Sequence, residues 1–452
     1  MPLRTEHVAI VGAGFAGTLL AINLLRHGGT RVTLIERQPE RIARGVAYAA
    51  AGAEHLLNVR AGNMSAFDDD ATHFVRWLER NELGDATMFA PRRLYGAYLR
   101  ELLEESLRGS GAELRIVHAE AVALSRRDAG CRLTLADGAS LDADVVVLAP
   151  GNLPPHTPPG ITAEVECSER YFGDPWAHNL VEGLKAIDTV VLIGSGLTAV
   201  DVALSLDAEG FAGTVIAVSR RGLRPHVHAA MPPAVGLREK PADRLSDLVR
   251  HVRRRADEIG WRGAVDELRP VTQLLWGGAD EITRARFLRH LRPFWDVHRH
   301  RLAPAVATRI GALVGAGRLR IAAGKLATSR LVPEGIELTW RRRSESAIET
   351  MTAARVVNCT GPQGDLMRSP EPLIASLLAA GAIQPDPLRI GIHVDQQSRV
   401  IDASGCANDR LYCIGPMTRG AFWEVVAVPD LRRQNGALAR RLTHAEWVNA
   451  AL

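Results

Sequence analysis

Two short glycine-rich segments constrain the fold of this chain more than any other feature. Gly12-Ala13-Gly14-Phe15-Ala16-Gly17 follows the apolar run Val8–Val11 and precedes a run of leucine and alanine. Gly194-Ser195-Gly196-Leu197-Thr198-Ala199 repeats the arrangement after Val190–Ile193, with alanine in place of the third glycine. A glycine turn between a strand and a helix is typical of a unit that binds a diphosphate at the helix amino terminus. The sequence therefore predicts two dinucleotide-binding units.

The first glycine segment has a complete set of the residues that this chemistry needs. Gly12 makes the tight turn, Gly14 admits a diphosphate, and Gly17 lets the helix pack on the strand. The next strand ends at Glu36, 22 residues after Gly14, where a carboxylate accepts ribose hydroxyls and repels a 2′-phosphate. The cofactor-binding candidates here are Gly12, Gly14, Phe15, Ala16, Gly17, Glu36 and Arg37.

The second glycine segment differs at the position that corresponds to Glu36. Its following strand ends in Ser219, Arg220 and Arg221, and arginine binds phosphate through charge-assisted hydrogen bonds. This pattern predicts NADPH. If the two arginines are instead a solvated surface pair, NADH is equally acceptable. The candidates are Gly194, Ser195, Gly196, Leu197, Thr198, Ser219, Arg220 and Arg221.

Opposite ribose chemistry in one chain indicates an electron path between the two sites. A flavin in the first site accepts hydride from the nicotinamide in the second, whereas two nicotinamides would give only transhydrogenation. We therefore expect FAD in the first unit and NADPH in the second. Five scattered cysteines without a C-x-x-C pair exclude the common zinc spacings and the thiol-pair reductases, and we expect no metal site.

Composition indicates a soluble protein of 452 residues with a small-molecule substrate. The net charge of +4 is spread along the chain, so no nucleic-acid or membrane partner is indicated. The first residues lack the order of a signal peptide and no apolar run approaches 20 residues, which predicts a cytoplasmic location. The oligomeric state is not specified.

Changes in composition and in the hydrophobic pattern along the chain predict three segments. A proline-rich stretch at 151–160 ends the first alternating region, and an amphipathic helical pattern follows Arg221. We expect a first part of an FAD-binding domain at 1–160, an NADPH-binding domain at 161–343 with a helical insert at about 238–312, and a second part of the FAD-binding domain at 344–452. The fold class is α/β, with two Rossmann-like domains.

Several longer strings carry a family resemblance over nearly the whole chain. They are Gly45–Tyr48, His55–Phe67, Phe74–Leu78, Phe294–Arg301 and Gly420–Arg432. The chain resembles the two-dinucleotide-binding flavoproteins, and in particular the bacterial FAD/NAD(P)-binding family related to flavin-dependent monooxygenases. The resemblance implies an FAD domain split around the NADPH domain.

The resemblance also implies further cofactor contacts. Strand ends at Gly151 and Gly361 would carry the chain between domains, and Gly415 would lie in a flavin-contacting turn. The acid expected beside Gly415 is absent, which leaves the group that binds the ribitol unassigned. Asn58, Met64 and Trp423 would lie near the isoalloxazine, against ordinary core packing as the alternative. Tyr171–His178 is similar to the linker signature of related monooxygenases, with its histidine one residue further along.

A monooxygenase is the activity that the resemblance implies. NADPH would reduce FAD, O₂ would add to form a flavin hydroperoxide, and one oxygen would pass to a nucleophilic substrate. His298, Arg299, His300 and Arg301 are the candidates for holding an anionic substrate and supplying a proton, against a solvated helix face or interdomain ion pairs. Relatives suggest urate or an amino-group compound. The alternatives are a flavin reductase or oxidase without oxygen insertion, a dehydrogenase running in the reverse direction, and a non-catalytic flavin sensor.

Overall fold

Sixteen strands and thirteen helices form the part of the chain that the computed structural model describes, which is 5–49, 52–110, 113–176, 180–229 and 244–445. In chain order they are β1 (His7–Val11), α1 (Phe15–His27), β2 (Arg31–Ile35), α2 (Gly45–Ala49), α3 (His73–Arg80), α4 (Arg92–Ser110), β3 (Leu114–Val117), β4 (Ala121–Arg127), β5 (Gly130–Leu135), β6 (Ser140–Ala143), β7 (Val145–Leu148), α5 (Ala163–Glu166), β8 (Tyr171–Phe172), β9 (Thr189–Ile193), α6 (Leu197–Ala208), β10 (Thr214–Ser219), α7 (Leu245–Glu267), α8 (Thr272–Gly278), α9 (Glu281–Arg286), α10 (Arg292–Arg299), α11 (Pro304–Gly315), β11 (Leu319–Val332), β12 (Gly335–Arg342), β13 (Ile348–Ala353), β14 (Arg355–Asn358), α12 (Pro372–Ala379), β15 (Arg399–Ile401), β16 (Ala407–Cys413) and α13 (Val428–Leu442).

The first sheet is built from both ends of the chain. Its six strands lie in the order β15-β16-β7-β1-β2-β3, and all are parallel except β15. The central strands are apolar on both faces because helices α1, α4 and α13 cover one side and the antiparallel strands β4–β6 with α12 cover the other. The predicted α/β class with a split first domain is confirmed.

The second sheet lies between the two parts of the first. Its seven strands lie in the order β13-β12-β11-β10-β9-β14-β8, with a parallel portion that β12 and β13 extend as an antiparallel ribbon. Because β13 and β14 both belong to this sheet, the predicted boundary at residue 343 falls inside it. The charged turn at 341–345 is the hairpin between β12 and β13, which sequence texture alone does not distinguish from a linker.

A helical insert follows β10 and consists of α7 to α10. Arg301 joins its ends through two hydrogen bonds to Asp266, and α7 changes direction at Gly260, where φ is 77°. The predicted start near 238 lies outside the described residues. At its other end, α11 packs on α6 and β11, so that helix is the crossover of the second sheet. No helix of the described residues is long and apolar enough to cross a membrane.

Candidate functional site

The first glycine turn joins β1 to α1 beneath the end of β7. Gly12 has φ of 100°, and a Cβ at this position would overlap the carbonyl oxygen of Ala149. A Cβ on Gly17 would overlap the carbonyl oxygen of Gly12. Gly14 is the amino-terminal cap of α1 and faces Gly45. Packing therefore fixes Gly12 and Gly17, whereas Gly14 leaves room for a ligand above the helix amino terminus.

Glu36 lies beside this turn at the end of β2. Its Oε2 accepts a hydrogen bond from the amide of Ala13 at 3.0 Å, and its Oε1 accepts one from the amide of Gln38 at 3.1 Å. The carboxylate is half-buried and keeps acceptor capacity towards the adjacent cleft. This geometry suits the hydroxyls of a ribose.

A cleft of about 480 Å³ opens in front of the turn, and we call it the nucleotide cleft. Eight of the predicted cofactor residues of the first unit and the strand ends line it: Gly12, Gly14, Phe15, Ala16, Glu36, Arg37, Gly151 and Gly361. Both strand-end glycines have positive φ, 69° for Gly151 and 86° for Gly361. The side chain of Arg37 pairs with Glu120 at 2.9 Å and with Glu371 at 2.8 Å, and these hydrogen bonds raise its pKa.

Several residues of this cleft were not named as cofactor contacts in the sequence analysis. They are Arg41, Arg44, Tyr48, Arg92, Trp176, Val426 and Leu431. Three of them are arginines, whose guanidinium groups suit the diphosphate of FAD, so the donor set fits that cofactor. Tyr48 belongs to a string that carried the family resemblance, and burial raises its pKa to about 12. The arginines could not be found by spacing, because different loops and helices bring them together.

The second glycine turn repeats the backbone arrangement of the first. Gly194 has φ of 125°, and a Cβ there would overlap the carbonyl oxygen of Cys359 at the end of β14. Gly196 caps α6, and a Cβ on it would meet no atom within 4 Å. The Ser195 hydroxyl lies 2.7 Å from that of Ser219 and also bonds the carbonyl of Leu223. A diphosphate can thus approach Gly196, and the two serines brace the turn.

Arg220 and Arg221 follow β10 at the edge of this turn. Arg220 is exposed, and the Arg221 guanidinium lies 5.4 Å from the ring centre of Phe294. Within the described ranges, neither has a carboxylate partner at ion-pair distance. Two uncompensated guanidinium groups at this position fit the 2′-phosphate of NADPH.

The two glycine turns meet at one cleft. Thr198, in the first turn of α6, lines the nucleotide cleft together with Gly12 and Gly14. A nicotinamide dinucleotide bound on α6 therefore extends towards a dinucleotide bound on α1.

The four basic residues of the catalytic hypothesis do not converge on this cleft. Arg301 is 3% exposed and forms a bidentate ion pair with Asp266 at 2.8 and 3.0 Å. The Nε of Arg299 lies 3.4 Å from Oε2 of Glu424, and burial lowers the pKa of Arg299. Both guanidinium groups are thus neutralised by carboxylates. Arg299 therefore fits the alternative of an interdomain ion pair. The ion pair of Arg301 with Asp266 lies within the insert and stabilises it.

The two histidines of this segment also have local partners. His298 Nδ1 lies 2.7 Å from the carbonyl oxygen of Phe294, and its ring packs 4.6 Å from His226 and 4.9 Å from Trp261. Burial lowers the pKa of His300. Neither ring lines the nucleotide cleft.

Glu424 is a buried acid that the sequence analysis did not assign. It is 3% exposed, and its Oε1 accepts a hydrogen bond from the indole of Trp295 at 3.1 Å. Its Oε2 lies near Arg299 and, at 3.9 Å, near Arg269, which also pairs with Asp430. This charge-balanced cluster ties the insert to the loop before α13. Its only signal in the sequence is one acid within a resemblance string.

The remaining predicted contacts lie in different places. Met64 is buried in the core beside α1, and the carbonyl of Asn58 accepts a hydrogen bond from His228 at 2.9 Å. Gly415 faces Ala16, to which a Cβ would approach within 3.4 Å, so the C-terminal turn lies on the first glycine turn. Trp423 stacks on Trp276 in the helical insert rather than lining the cleft. His178 lies outside the described residues.

Comparison with known proteins agrees with this geometry. Residues 9–153 match the model of a family described as FAD-NAD(P)-binding. This match covers the first nucleotide-binding unit, about a third of the chain. A comparison with curated proteins found no significant match.

Solved structures extend the likeness to the whole length of the chain. An ornithine N-hydroxylase from Kutzneria sp. 744 is 15% identical, with 98% of this chain and 100% of that one covered at a TM-score of 0.70. The ornithine hydroxylase of Pseudomonas aeruginosa is 16% identical, with 97% of this chain and 99% of that one covered at a TM-score of 0.68. The cadaverine monooxygenase of Erwinia amylovora is 14% identical, with 97% of this chain and 94% of that one covered at a TM-score of 0.68. At identities this low, the TM-scores show that these chains share a fold.

A buried polar contact joins the first glycine turn's domain to helix α6 of the second. Arg92, which lines the nucleotide cleft, pairs with Asp201 of α6 at 2.8 Å, and burial raises the pKa of Asp201. His55 Nε2 lies 3.1 Å from the carbonyl oxygen of Asp201 and 3.0 Å from the hydroxyl of Ser205. The helix that presents the second turn is thus held against a residue of the first site.

Proposed function

We propose that this flavoprotein is an NADPH-dependent monooxygenase that hydroxylates the nitrogen of an amine. The observation that carries the proposal is the shared cleft, which Thr198 of α6 lines together with Gly12 and Gly14 of the first turn. This arrangement supports direct hydride transfer between two bound dinucleotides.

The cysteines support a monooxygenase over a disulfide reductase. Cys131, Cys359 and Cys413 are buried, Cys167 and Cys406 are exposed, and none of the five lines the nucleotide cleft. Burial raises the pKa of Cys359 and of Cys413, which keeps both thiols protonated and poorly nucleophilic.

The charges around the helical insert support an amine over an anion such as urate. Arg299 and Arg301, the two guanidinium groups expected to hold an anion, are compensated by Glu424 and Asp266. Solved structures with this fold include an ornithine N-hydroxylase and a cadaverine monooxygenase. An amine nitrogen is also a suitable nucleophile for oxygen transfer when it is unprotonated.

The chain's own residues bind and orient the cofactors in this proposal. FAD supplies redox and oxygen chemistry when it is bound. Glu36 would hold its ribose, the first glycine turn and Arg44 would face its diphosphate, and the amino terminus of α13 at Val428, just after the cleft-lining Val426, would favour negative charge. Arg220 and Arg221 bind the 2′-phosphate of NADPH. In sum, amine, O₂, NADPH and a proton give hydroxylamine, water and NADP⁺.

The test uses the FAD-loaded chain with NADPH and labelled ¹⁸O₂. We expect an amine to accelerate NADPH oxidation and to yield a hydroxylamine that carries one ¹⁸O atom, whereas urate gives no acceleration. The panel includes ornithine, lysine, cadaverine and hydrophobic monoamines. Hydrogen peroxide formed in equal amount to the NADPH consumed, with every amine tested, would contradict oxygen insertion and identify an oxidase.

A further inference from the structure

A second cavity, of about 460 Å³, lies within the helical insert, and we call it the aromatic cavity. Its volume is within the range of small-molecule sites, about 300–1,000 Å³. The side chains that line it come from α7 to α10, the segments between them and the loop before α13. They include Val252, Trp261, Trp276, Phe287, Trp295 and Trp423.

Apolar side chains form most of the wall of this cavity, and six of them are aromatic. Four of the chain's eight tryptophans line it. Trp276 and Trp423 stack with ring centres 4.6 Å apart, and Phe287 meets the Trp423 ring edge-on at 5.4 Å. Rings in these arrangements present flat apolar surfaces that bind aryl or branched alkyl groups.

Two of the polar atoms of these tryptophans are bonded outside the cavity. The indole of Trp276 donates to the carbonyl oxygen of Gly420 at 2.8 Å, and that of Trp295 donates to Glu424 at 3.1 Å. A buried indole N–H without a partner would favour a polar ligand, but these two are satisfied. The wall therefore offers mainly dispersion contacts and water exclusion.

The charged groups of the lining do not form a site for a charged aliphatic chain. The Arg284 side chain donates to the carbonyl oxygens of Trp276 and Gly277 at 2.9 and 3.1 Å, and Arg253 is exposed. Among the described lining residues there is no carboxylate, so no group would pair with a second ammonium. Diamines and basic amino acids lack a matching partner here.

The aromatic cavity is close to the nucleotide cleft. Trp423 lines the cavity and Val426 lines the cleft, and three residues of chain span at most about 11 Å between Cα atoms. A ligand seated against Trp423 can thus direct a short polar end towards the cleft.

From these observations we propose that the aromatic cavity holds the apolar body of the substrate, which is a hydrophobic monoamine of the arylalkyl class. The inference rests on the proposed function for the fate of the amino group, and on the cavity alone for the chemistry of the body. This substrate class would separate the chain from the ornithine N-hydroxylase and the cadaverine monooxygenase that share its fold.

Binding is tested by calorimetry on the FAD-loaded chain without NADPH, with 2-phenylethylamine and cadaverine as probes. We expect 2-phenylethylamine to bind at least about 10-fold more tightly, because only its ring fills the cavity. Equal affinities, or tighter binding of cadaverine, would overturn the inference.

The cavity itself is tested by filling it. Ala256→Trp on α7 should weaken 2-phenylethylamine binding at least about 10-fold and leave the FAD content unchanged. The neighbouring exposed position gives the matched control, since Asp257→Trp adds the same side chain outside the cavity. Ala279→Trp, which enters from the end of α8, repeats the test if the first variant does not fold. Undiminished binding by a folded cavity variant would contradict the assignment.

The two proposals fail in different ways. Hydroxylation of cadaverine without binding of 2-phenylethylamine would support the monooxygenase and overturn the substrate class. Cavity-dependent binding of 2-phenylethylamine, with hydrogen peroxide as the only oxygen product, would support the apolar site and overturn the monooxygenase.

Discussion

The two glycine turns of this chain have the same backbone and different chemistry. In each, the first glycine has a positive φ and lies under a carbonyl oxygen of the adjacent parallel strand, Ala149 above Gly12 and Cys359 above Gly194. After the next strand, one turn is closed by Glu36 and the other by Ser219 and two arginines. The backbone requirement belongs to the fold, and the residue after the strand selects the nucleotide.

The third position of the motif shows where the two turns diverge in packing. A Cβ on Gly17 would overlap the carbonyl oxygen of Gly12, whereas Ala199 carries a Cβ and is buried without such a conflict. Glycine is therefore required at the third position of the first turn but not at that of the second.

The largest effect is expected in the second glycine turn, where one glycine is required by packing and another faces the nucleotide. Gly194→Ala combines an unfavourable φ with overlap on Cys359, and we expect a loss of about 3 kcal/mol or more in the free energy of unfolding. Gly196→Ala meets no protein atom, so it should keep the stability and lose NADPH affinity. Urea denaturation and NADP⁺ titration measure the two effects. Equal stability of both variants would break the analogy with Gly12.

The contact that joins the two domains should have the next largest effect. Arg92→Ala leaves Asp201 buried without its partner, which typically costs about 3–5 kcal/mol. Arg132→Ala is the matched control, because its pair with Asp142 at 2.6 Å is exposed and is expected to contribute little to stability. Urea denaturation compares the variants. Similar losses in both would show that the Arg92–Asp201 pair has no special role between the domains.

Replacement of Glu36, the proposed contact to the ribose of FAD, should have the next largest effect. Glu36→Ala removes the acceptor of two backbone amides and of the ribose, so we expect FAD affinity to fall about 10- to 100-fold. Glu36→Gln retains one amide oxygen as acceptor and should lose less. Fluorescence titration of the flavin-free protein with FAD measures both. Full FAD affinity in Glu36→Ala would exclude the ribose role.

The smallest effect is expected at the second ribose contact, which is exposed. Arg220→Ala should raise the KM for NADPH about 10-fold and leave the KM for NADH nearly unchanged. Arg320→Ala, at an exposed position on the adjacent strand β11, provides the control. Steady-state oxidation of both nucleotides gives the comparison. An equal rise for NADPH and NADH would favour a solvated surface pair.

The sequence predicts the local parts of this site well and the tertiary parts poorly. Both turns and Glu36 follow from short-range pattern, because a strand, a turn and a helix are set by neighbouring residues, whereas the strand-end glycines rested on the family resemblance. The pairing of Arg301 with Asp266 spans 35 residues, and Glu424 meets Arg299 across two domains. The arginines near 300 therefore resemble an anion site in the sequence, although carboxylates brought in by folding neutralise them.

The end of the second domain was missed for a related reason. A charged turn at 341–345 has the composition of a linker, but β13 continues the ribbon beyond it. Only hydrogen bonding between strands distinguishes a hairpin from a boundary, and composition does not report it. The aromatic cavity was missed because its tryptophans are far apart in the sequence.

The split first sheet sets a time order for biosynthesis. One edge of β7 pairs with β16, so Leu148 emerges from the ribosome 263 residues before Leu411. At typical elongation rates this delay is roughly ten seconds to a minute. During that interval the inserted sheet can complete itself, whereas the hydrogen-bonding groups on that edge of β7 lack their native partner. The domain that is translated first is the last to close, which makes it the part of the nascent protein most dependent on protection from aggregation.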